Sequence, residues 1–425
     1  MSGRPDAVEV TVDLEGHEVV AGTLRVYERH GQSTTFEYAE DYLRHPRAYD
    51  LEPALPRGSG IFRPSVGKEL FNIFADTAPD RWGQNLLRRQ ERDRAAAAHE
   101  TPRSLGSIDF LFGVRDRLRQ GALRFRLPGT SNYLGVDEVG IPPMVSLPRL
   151  LAASDRFFAG GDDLKDLINA GGSLGGARPK AAVSTENGTL AIAKFPRSHD
   201  EWDLAAWEQV AADLAVSAGI TMPPSRLIKV DERNVFLVER FDRQGGHRVG
   251  FASALTLLES ADRERRSYVE IAADVIEVNA ERPGRDLEEL FRRIVFSVLI
   301  ANTDDHLRNH AFLRKGPSWN LSPAYDVNPN PERPGELTTA ISLDDATASI
   351  ELALSVRDFF RLSSERARSI VAEVESATAG WSAVAWRYGI AKPEHSLMAD
   401  AFDSPERKVA RRLAGGSSLR AGGPL

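Results

Sequence analysis

The chain contains no cysteine at all. Disulfide staples, thiolate nucleophiles and cysteine-ligated zinc or iron–sulfur centres are therefore excluded, and the composition fits a reducing compartment. Long apolar runs are missing too: the most hydrophobic stretch, Ile294 to Ala301, falls far short of the ~20 residues that a membrane-spanning helix needs. The start MSGRPDAVEV is charged and has no apolar signal core, so the expected location is cytoplasmic, with no membrane partner. Nor is there a basic excess. Lys plus Arg number 54 against 61 Asp plus Glu, and the formal charge of −7 has the wrong sign for gripping a phosphate backbone over a broad surface. Little direct nucleic-acid binding is expected.

What is present is an ordinary globular composition, 42% apolar and 27% charged over 425 residues, which rules out wholesale disorder. Such a length accommodates roughly two to three domains. Residues 8–27 alternate apolar and polar positions around Glu15, Gly16 and Gly22, a strand–turn–strand pattern. Helical spacing follows over Glu69 to Arg94, interrupted at Pro79. Prolines and glycines between Leu127 and Leu147 read as a long connection, so a boundary is placed at 147. Beyond it, Lys180 to Ser184 and Thr189 to Phe195 form a hairpin around Asn187 and Gly188. A helix with Asp200 as its cap comes next, then the strand Val235 to Glu239, and from Ser253 onward helical periodicity dominates. The expected division is 1–147, a nucleotide-binding part at 148–241, a helical catalytic lobe at 242–412 and a flexible tail at 413–425.

Four constellations carry chemistry. Ala170 to Val183 (AGGSLGGARPKAAV) is a glycine-rich segment leading into a hairpin, which suits a phosphate cover better than a Walker A loop, because Pro179 precedes Lys180 and no helix follows; the same glycines also fit a plain surface loop. Lys194 lies on an otherwise apolar strand, where it serves phosphates or snorkels outward, with Glu208 or Glu201 as a candidate ion-pair partner. NTDDHLRNH, Asn302 to His310, ends the most periodic helix and sets Asp304 five residues before Asn309, the separation of a kinase base from its metal-binding asparagine; a polar helix terminus is the plainer reading. Asp326, in LSPAYDVNP, follows an expected strand and lies 22 residues after Asp304, where a second carboxylate can complete an oxygen-ligand site for Mg²⁺ with Asn309, or simply shape a turn. His306 and His310 lack the glutamate of a zincin, and His306 is read as bracing its loop.

In chain order these parts are those of a protein-kinase-like phosphotransferase. SLGGARPK, AIAKFP, VERFDR, NTDDHLRNH and LSPAYDVNP resemble the successive motifs of the HipA family, the serine/threonine kinase toxins of bacterial toxin–antitoxin pairs, and FEYAEDYL, NIFADTAPDRWGQNLL and DFLFGVRDRLRQGAL are similar to that family's N-terminal domain. The resemblance implies an α+β, two-lobed kinase-like fold with a β-rich N-terminal subdomain and a mainly helical C-terminal lobe. It implies ATP and Mg²⁺, with Gly175, Gly176, Ala177, Arg178, Pro179 and Lys180 covering the phosphates, Lys194 contacting them, and Glu239, Arg240 and Phe241 forming the adenine hinge. It further implies Asp304 as base, His306 and Asn309 at the nucleotide, Asn309 and Asp326 on the metal, and Ser173 as a site of autophosphorylation. A DNA-binding, HipB-like antitoxin and a protein substrate such as an aminoacyl-tRNA synthetase are the implied partners. GARPK in place of GAQEK removes a glutamate at Pro179, and NTDDH in place of NTDGH sets Asp305 beside the base. The rival readings are a catalytically silent, partner-sequestering nucleotide-binding protein and a kinase of small metabolites.

Overall fold

Val8, Val10, Val12 and Leu14 are all buried while Ala7, Glu9 and Asp13 are half-buried, and this period of two, interrupted at the buried Thr11, makes Ala7–Leu14 a strand, β1. In the computed structural model, which describes residues 5–27, 33–135, 141–161, 165–170, 178–332 and 335–415, it pairs with β2, His17–Tyr27, through a tight turn. Glu15 and Gly16 take φ of 56° and 90° there, and the Asp13 carboxylate accepts the Gly16 amide at 2.6 Å. With β3 (Ser33–Tyr38), β4 (Ile61–Phe62) and β5 (Leu123–Arg126) they form an antiparallel sheet in the order β4-β3-β2-β1-β5. Helices follow as the periodicity requires. Asn72–Ala75 ends before Pro79, and Arg81–Ala97 starts after it with the Asp80 carboxylate capping the Gly83 amide.

A second antiparallel sheet, β6-β7-β9-β8, is built from Lys180–Ser184, Leu190–Lys194, Arg233–Glu239 and Ser225–Val230. Its hairpin register sets Lys180 opposite Lys194. One face packs on the helix Leu147–Phe158, giving a small core of Leu147, Leu150, Leu151, Val183, Val235 and Leu237. The helix Leu204–Ser217 begins at Asp203, not Asp200 as the sequence pattern implied. Asp203 accepts the Ala206 amide at 3.0 Å, whereas Asp200 is occupied with the Arg197 amide and the Arg178 guanidinium.

Beyond the short hairpin β10 (Arg243–Gln244) and β11 (His247–Arg248), the chain is mostly helical. A three-stranded sheet interrupts it: β12 (Phe251–Ser253), β13 (Ala311–Lys315) and β14 (Ser318–Leu321). The helical expectation did not include β12 and β13, whereas β14 is the strand expected ahead of Asp326; the turn from β13 to β14 needs the positive φ of Gly316, 54°. The helix Pro283–Ile300 is fully enclosed along Leu287, Leu290, Phe291, Ile294, Val295 and Val298. It stops at Ala301 in the left-handed conformation, and the polar segment 302–310 begins there. One continuous core runs from Val8 to Ala410, so the first sheet and the helical lobe share an interior. The last helix, Pro405–Gly415, reaches into the expected tail, of which 416–425 lie outside the described residues. Among the described residues, no helix is long and apolar enough to cross a membrane.

Candidate active site

The second sheet, the end of the Pro283–Ile300 helix and the loop after β14 face one cleft of about 1230 Å³, lined among others by Lys180, Lys194, Glu239, Asp304, Asn309 and Asp326. Lys194 closes β7. Its ammonium lies 2.5 Å from the Glu208 carboxylate and 2.8 Å from Asp326, so helix, strand and loop meet at one cation. Glu201 is exposed and has no part in this contact. Burial alone would push the Lys194 ammonium down, but the Asp326 and Glu208 carboxylates outweigh it and hold it above its ordinary value. Burial likewise opposes ionisation of Asp326, and Lys194 with Lys180 overcomes it, bringing that carboxyl to about 2. Both groups are therefore charged at neutral pH. Asp326 itself sits at φ 56°, a left-handed conformation that aims its side chain into the cleft rather than along a strand.

Asp304 is exposed to the cleft, and partial desolvation, opposed by His306 and reinforced by the like charge of Asp326, lifts its carboxyl above the ordinary carboxylate value. Asn309 donates its side-chain amide to the Asp304 carbonyl at 2.9 Å and its backbone amide to His306 at 2.7 Å. The Nδ2 group being so engaged, the amide oxygen is what Asn309 can offer a ligand. Asp326 spends Oδ1 on Lys194, with Asn328 at 3.4 Å, leaving Oδ2. One carboxylate oxygen and one amide oxygen suit an oxygen-seeking divalent cation such as Mg²⁺. Buried His306 Nδ1 has no hydrogen-bond partner among the described residues, although its ring lines the cleft.

Other expected site residues fall as follows. Lys180 is buried, and its ammonium is paired with Asp80 at 2.9 Å. Arg178 pairs with Asp200 at 2.8 Å, and the Pro179 carbonyl accepts the Phe195 amide at 2.9 Å, locking the loop's exit onto β7. Glu239, Arg240 and Phe241 line the cleft where β9 ends. The Arg240 guanidinium, however, is committed to Asp242 and to the carbonyls of Leu118 and Arg119, and its backbone amide is donated to the Leu190 carbonyl at 2.9 Å. Phe241 packs against Tyr325 with centroids 5.5 Å apart. Ser173, Gly175, Gly176 and Ala177 lie outside the described residues. Sequence reasoning missed Asp76, Asp80 and Arg308, all of which line the cleft; the one signal for the two aspartates was their presence in NIFADTAPDRWGQNLL.

Comparison with known proteins accords with this geometry. Residues 172–381 match the family model of the HipA-like C-terminal domain, and residues 12–105 match that of the HipA N-terminal domain. The HipA toxin in the Shewanella oneidensis MR-1 toxin–antitoxin complex of HipA, HipB and operator DNA aligns over 98% of this chain and 100% of its own, at 15% identity and a TM-score of 0.67. The Helicobacter pylori proinflammatory kinase CtkA aligns over 58% of this chain and 94% of its own, at 14% identity and a TM-score of 0.45. A Haemophilus influenzae protein named "Putative kinase" is 30% identical over an alignment of 148 residues that covers 30% of this chain and 43% of that protein, so this chain spans less than half the length of that curated relative. Two domain matches in the family's order, on a two-lobed α+β fold of the kinase-like type, mean that the chain belongs to the HipA family.

Proposed function

We propose that this chain is an ATP-dependent serine/threonine protein kinase, the toxin of a toxin–antitoxin pair, with residues 1–147 as its N-terminal domain. The observation that carries the reading is Lys194, held between Glu208 and Asp326 across the cleft from an exposed Asp304. In that arrangement Lys194 and the segment 175–180 bind the ATP phosphates, and the end of β9 holds the adenine. Asp304 accepts the hydrogen of the substrate hydroxyl as its oxygen attacks the γ-phosphorus and the bond to the β-phosphate oxygen breaks. Asn309 and Asp326 would hold Mg²⁺, which when bound neutralises charge on the phosphates. A cognate HipB-like, DNA-binding antitoxin is the proposed partner, an aminoacyl-tRNA synthetase a candidate substrate, and Ser173 a site of self-modification. Support for these comes from the family and from the complex in which its Shewanella oneidensis member was solved.

Intact-mass and peptide mass spectrometry, before and after incubation with Mg²⁺ and ATP, tests the reading. The wild type should gain a phosphoryl group, at Ser173 or on an added protein. Asp304→Asn should bind ATP and lose at least ~10³-fold in transfer. Undiminished transfer by Asp304→Asn would remove Asp304 as the base, and a wild type that binds nucleotide yet transfers nothing would favour a silent sequestering protein.

A further inference from the structure

The loop between the helices Asn72–Ala75 and Arg81–Ala97 belongs to the N-terminal part of the chain, yet both of its ends terminate inside the cleft of the C-terminal part. At one end Asp76 is buried, and its carboxylate accepts the Ser253 amide at 2.7 Å, the Ser253 hydroxyl at 2.9 Å, the Thr256 hydroxyl at 2.6 Å and the Arg308 guanidinium at 3.0 Å. Arg308 stands between Asp304 and Asn309, and its carbonyl accepts the Tyr325 hydroxyl at 2.5 Å, next to Asp326. At the other end Asp80 takes the Lys180 ammonium at 2.9 Å, and Trp82 donates its indole N–H to the Lys180 carbonyl at 3.0 Å. Thr77, in between, is fixed through its carbonyl by the buried Arg119 at 3.2 Å.

Four peptide units separate the two carboxylates, and even a fully extended chain of that length covers only ~14 Å. Parting the second sheet from the loop 302–310 by more than a few ångströms therefore breaks one of the two ion pairs and strands a buried charge. We propose that residues 76–80 are a positioning strap, through which the N-terminal domain holds the loop bearing Asp304 and Asn309 in register with Lys180 on the nucleotide sheet. The domain is thus a working part of the cleft, and anything that displaces it changes catalysis. This rests on the kinase reading above. Asp76 and Asp80 are positioning residues: they touch Arg308 and Lys180, not the reacting atoms.

The test uses the full chain and its variants Asp76→Asn, Asp80→Asn, Arg308→Gln and the double variant Asp76→Asn/Arg308→Gln. Three quantities are read: hydrogen exchange of peptides covering 304–310, affinity for Mg²⁺ with a non-hydrolysable ATP analogue, and the steady-state constants of phosphoryl transfer. Asp76→Asn should speed exchange across 304–310 by about tenfold or more and lower kcat by about 10- to 100-fold, with analogue affinity within about threefold of the wild type. Asp80→Asn should mainly weaken analogue binding, by about tenfold, with a smaller effect on kcat. Arg308→Gln also removes the pair of Arg308 with Asp262 at 2.9 Å, so the double variant should be no slower than Arg308→Gln alone, which already lacks the Asp76 contact. Wild-type exchange and kcat in folded Asp76→Asn, or fully additive losses in the double variant, would overturn the strap. Should Asp76→Asn not fold, Arg308→Gln interrogates the same contact from its other side. A wild type that transfers no phosphoryl group defeats the kinase reading, while the exchange comparison still decides the strap.

Discussion

Asp305 stands next to Asp304 in sequence and turns away from it in space. Its carboxylate accepts the amides of Thr338 at 3.0 Å and Thr339 at 3.3 Å as well as the Tyr268 hydroxyl, and its carbonyl accepts the Thr339 hydroxyl at 2.6 Å. The extra negative charge that NTDDH brings is therefore a brace between the loop 302–310 and the segment 335–340, not a second base. Burial, only partly offset by those hydrogen bonds, pushes the carboxyl up to about 7. Because the unfolded chain has the ordinary value of ~3.9, this group's contribution to stability is complete below that value and is lost as pH rises through 7. Urea unfolding between about pH 5 and pH 8 should show wild-type stability falling by on the order of 1–3 kcal/mol, and Asp305→Asn should flatten that slope. An unchanged slope in Asp305→Asn would assign the pH dependence elsewhere. Asp305→Ala leaves the Thr339 amide without its acceptor, reduces the Thr338 amide to the Thr303 carbonyl at 3.2 Å and removes the carboxylate that accepts the Tyr268 hydroxyl, so it should cost about 2–4 kcal/mol at pH 5 and less at pH 8, where the wild type has already lost part of the group's contribution.

Among the elements, the helix Leu204–Ser217 does the most to build the site, since it carries Glu208 to Lys194. The Asp203 carboxylate caps it and also accepts the Asn234 side-chain amide at 2.5 Å, while the Glu394 carboxylate accepts both the Asp203 amide at 3.0 Å and the Trp207 indole N–H at 2.9 Å. Asp203→Ala should lower stability by about 1–2 kcal/mol by thermal or urea unfolding, and should reduce phosphoryl transfer further than the unfolded fraction explains, because Glu208 loses its fixed approach to Lys194. Equal losses in stability and activity would leave the cap a purely structural role. Much of this element was legible in advance: its apolar face at Leu204, Trp207, Ala211 and Leu214 has a helical period, and the need of a strand lysine for a counter-charge offered Glu208 or Glu201, between which the fold chooses Glu208. The cap was misplaced by one turn, because Asp200 and Asp203 are both capping residues and only tertiary contacts to Asn234 and Glu394 choose between them. The strand β13 was not foreseen, since so short an element leaves no periodicity to read, whereas the strand expected ahead of Asp326 is β14.

Across the whole molecule the least legible feature is the seam between the N-terminal sheet and the kinase-like part, where side chains more than a hundred residues apart meet and no local pattern announces them. Asp242 takes Arg240 at 2.6 Å, Arg243 at 2.7 Å and the Gly121 amide at 2.8 Å, while Arg240, Arg243 and Arg248 all donate to the Arg119 carbonyl. Asp116 serves Arg124 and Arg248 in the same seam. Burial works against the Asp242 carboxylate, yet Arg240 and Arg243 overcome it and hold the group well below the ordinary carboxylate range. Its stabilising effect is therefore complete above the unfolded value of ~3.9 and fades only as pH falls towards the depressed native value, opposite in sign to Asp305. Asp242→Asn keeps the shape but leaves the buried Arg240 and the half-buried Arg243 guanidiniums short of counter-charge, so about 3–5 kcal/mol should be lost at neutral pH, and less near pH 3. Since one core joins Val8 to Ala410, calorimetry of the wild type should show the N-terminal sheet and the helical lobe melting in one transition. In Asp242→Asn that transition should move down as a unit. A variant in which the N-terminal sheet melts separately, with the helical lobe at its wild-type temperature, would show that the seam and not the shared core couples the two.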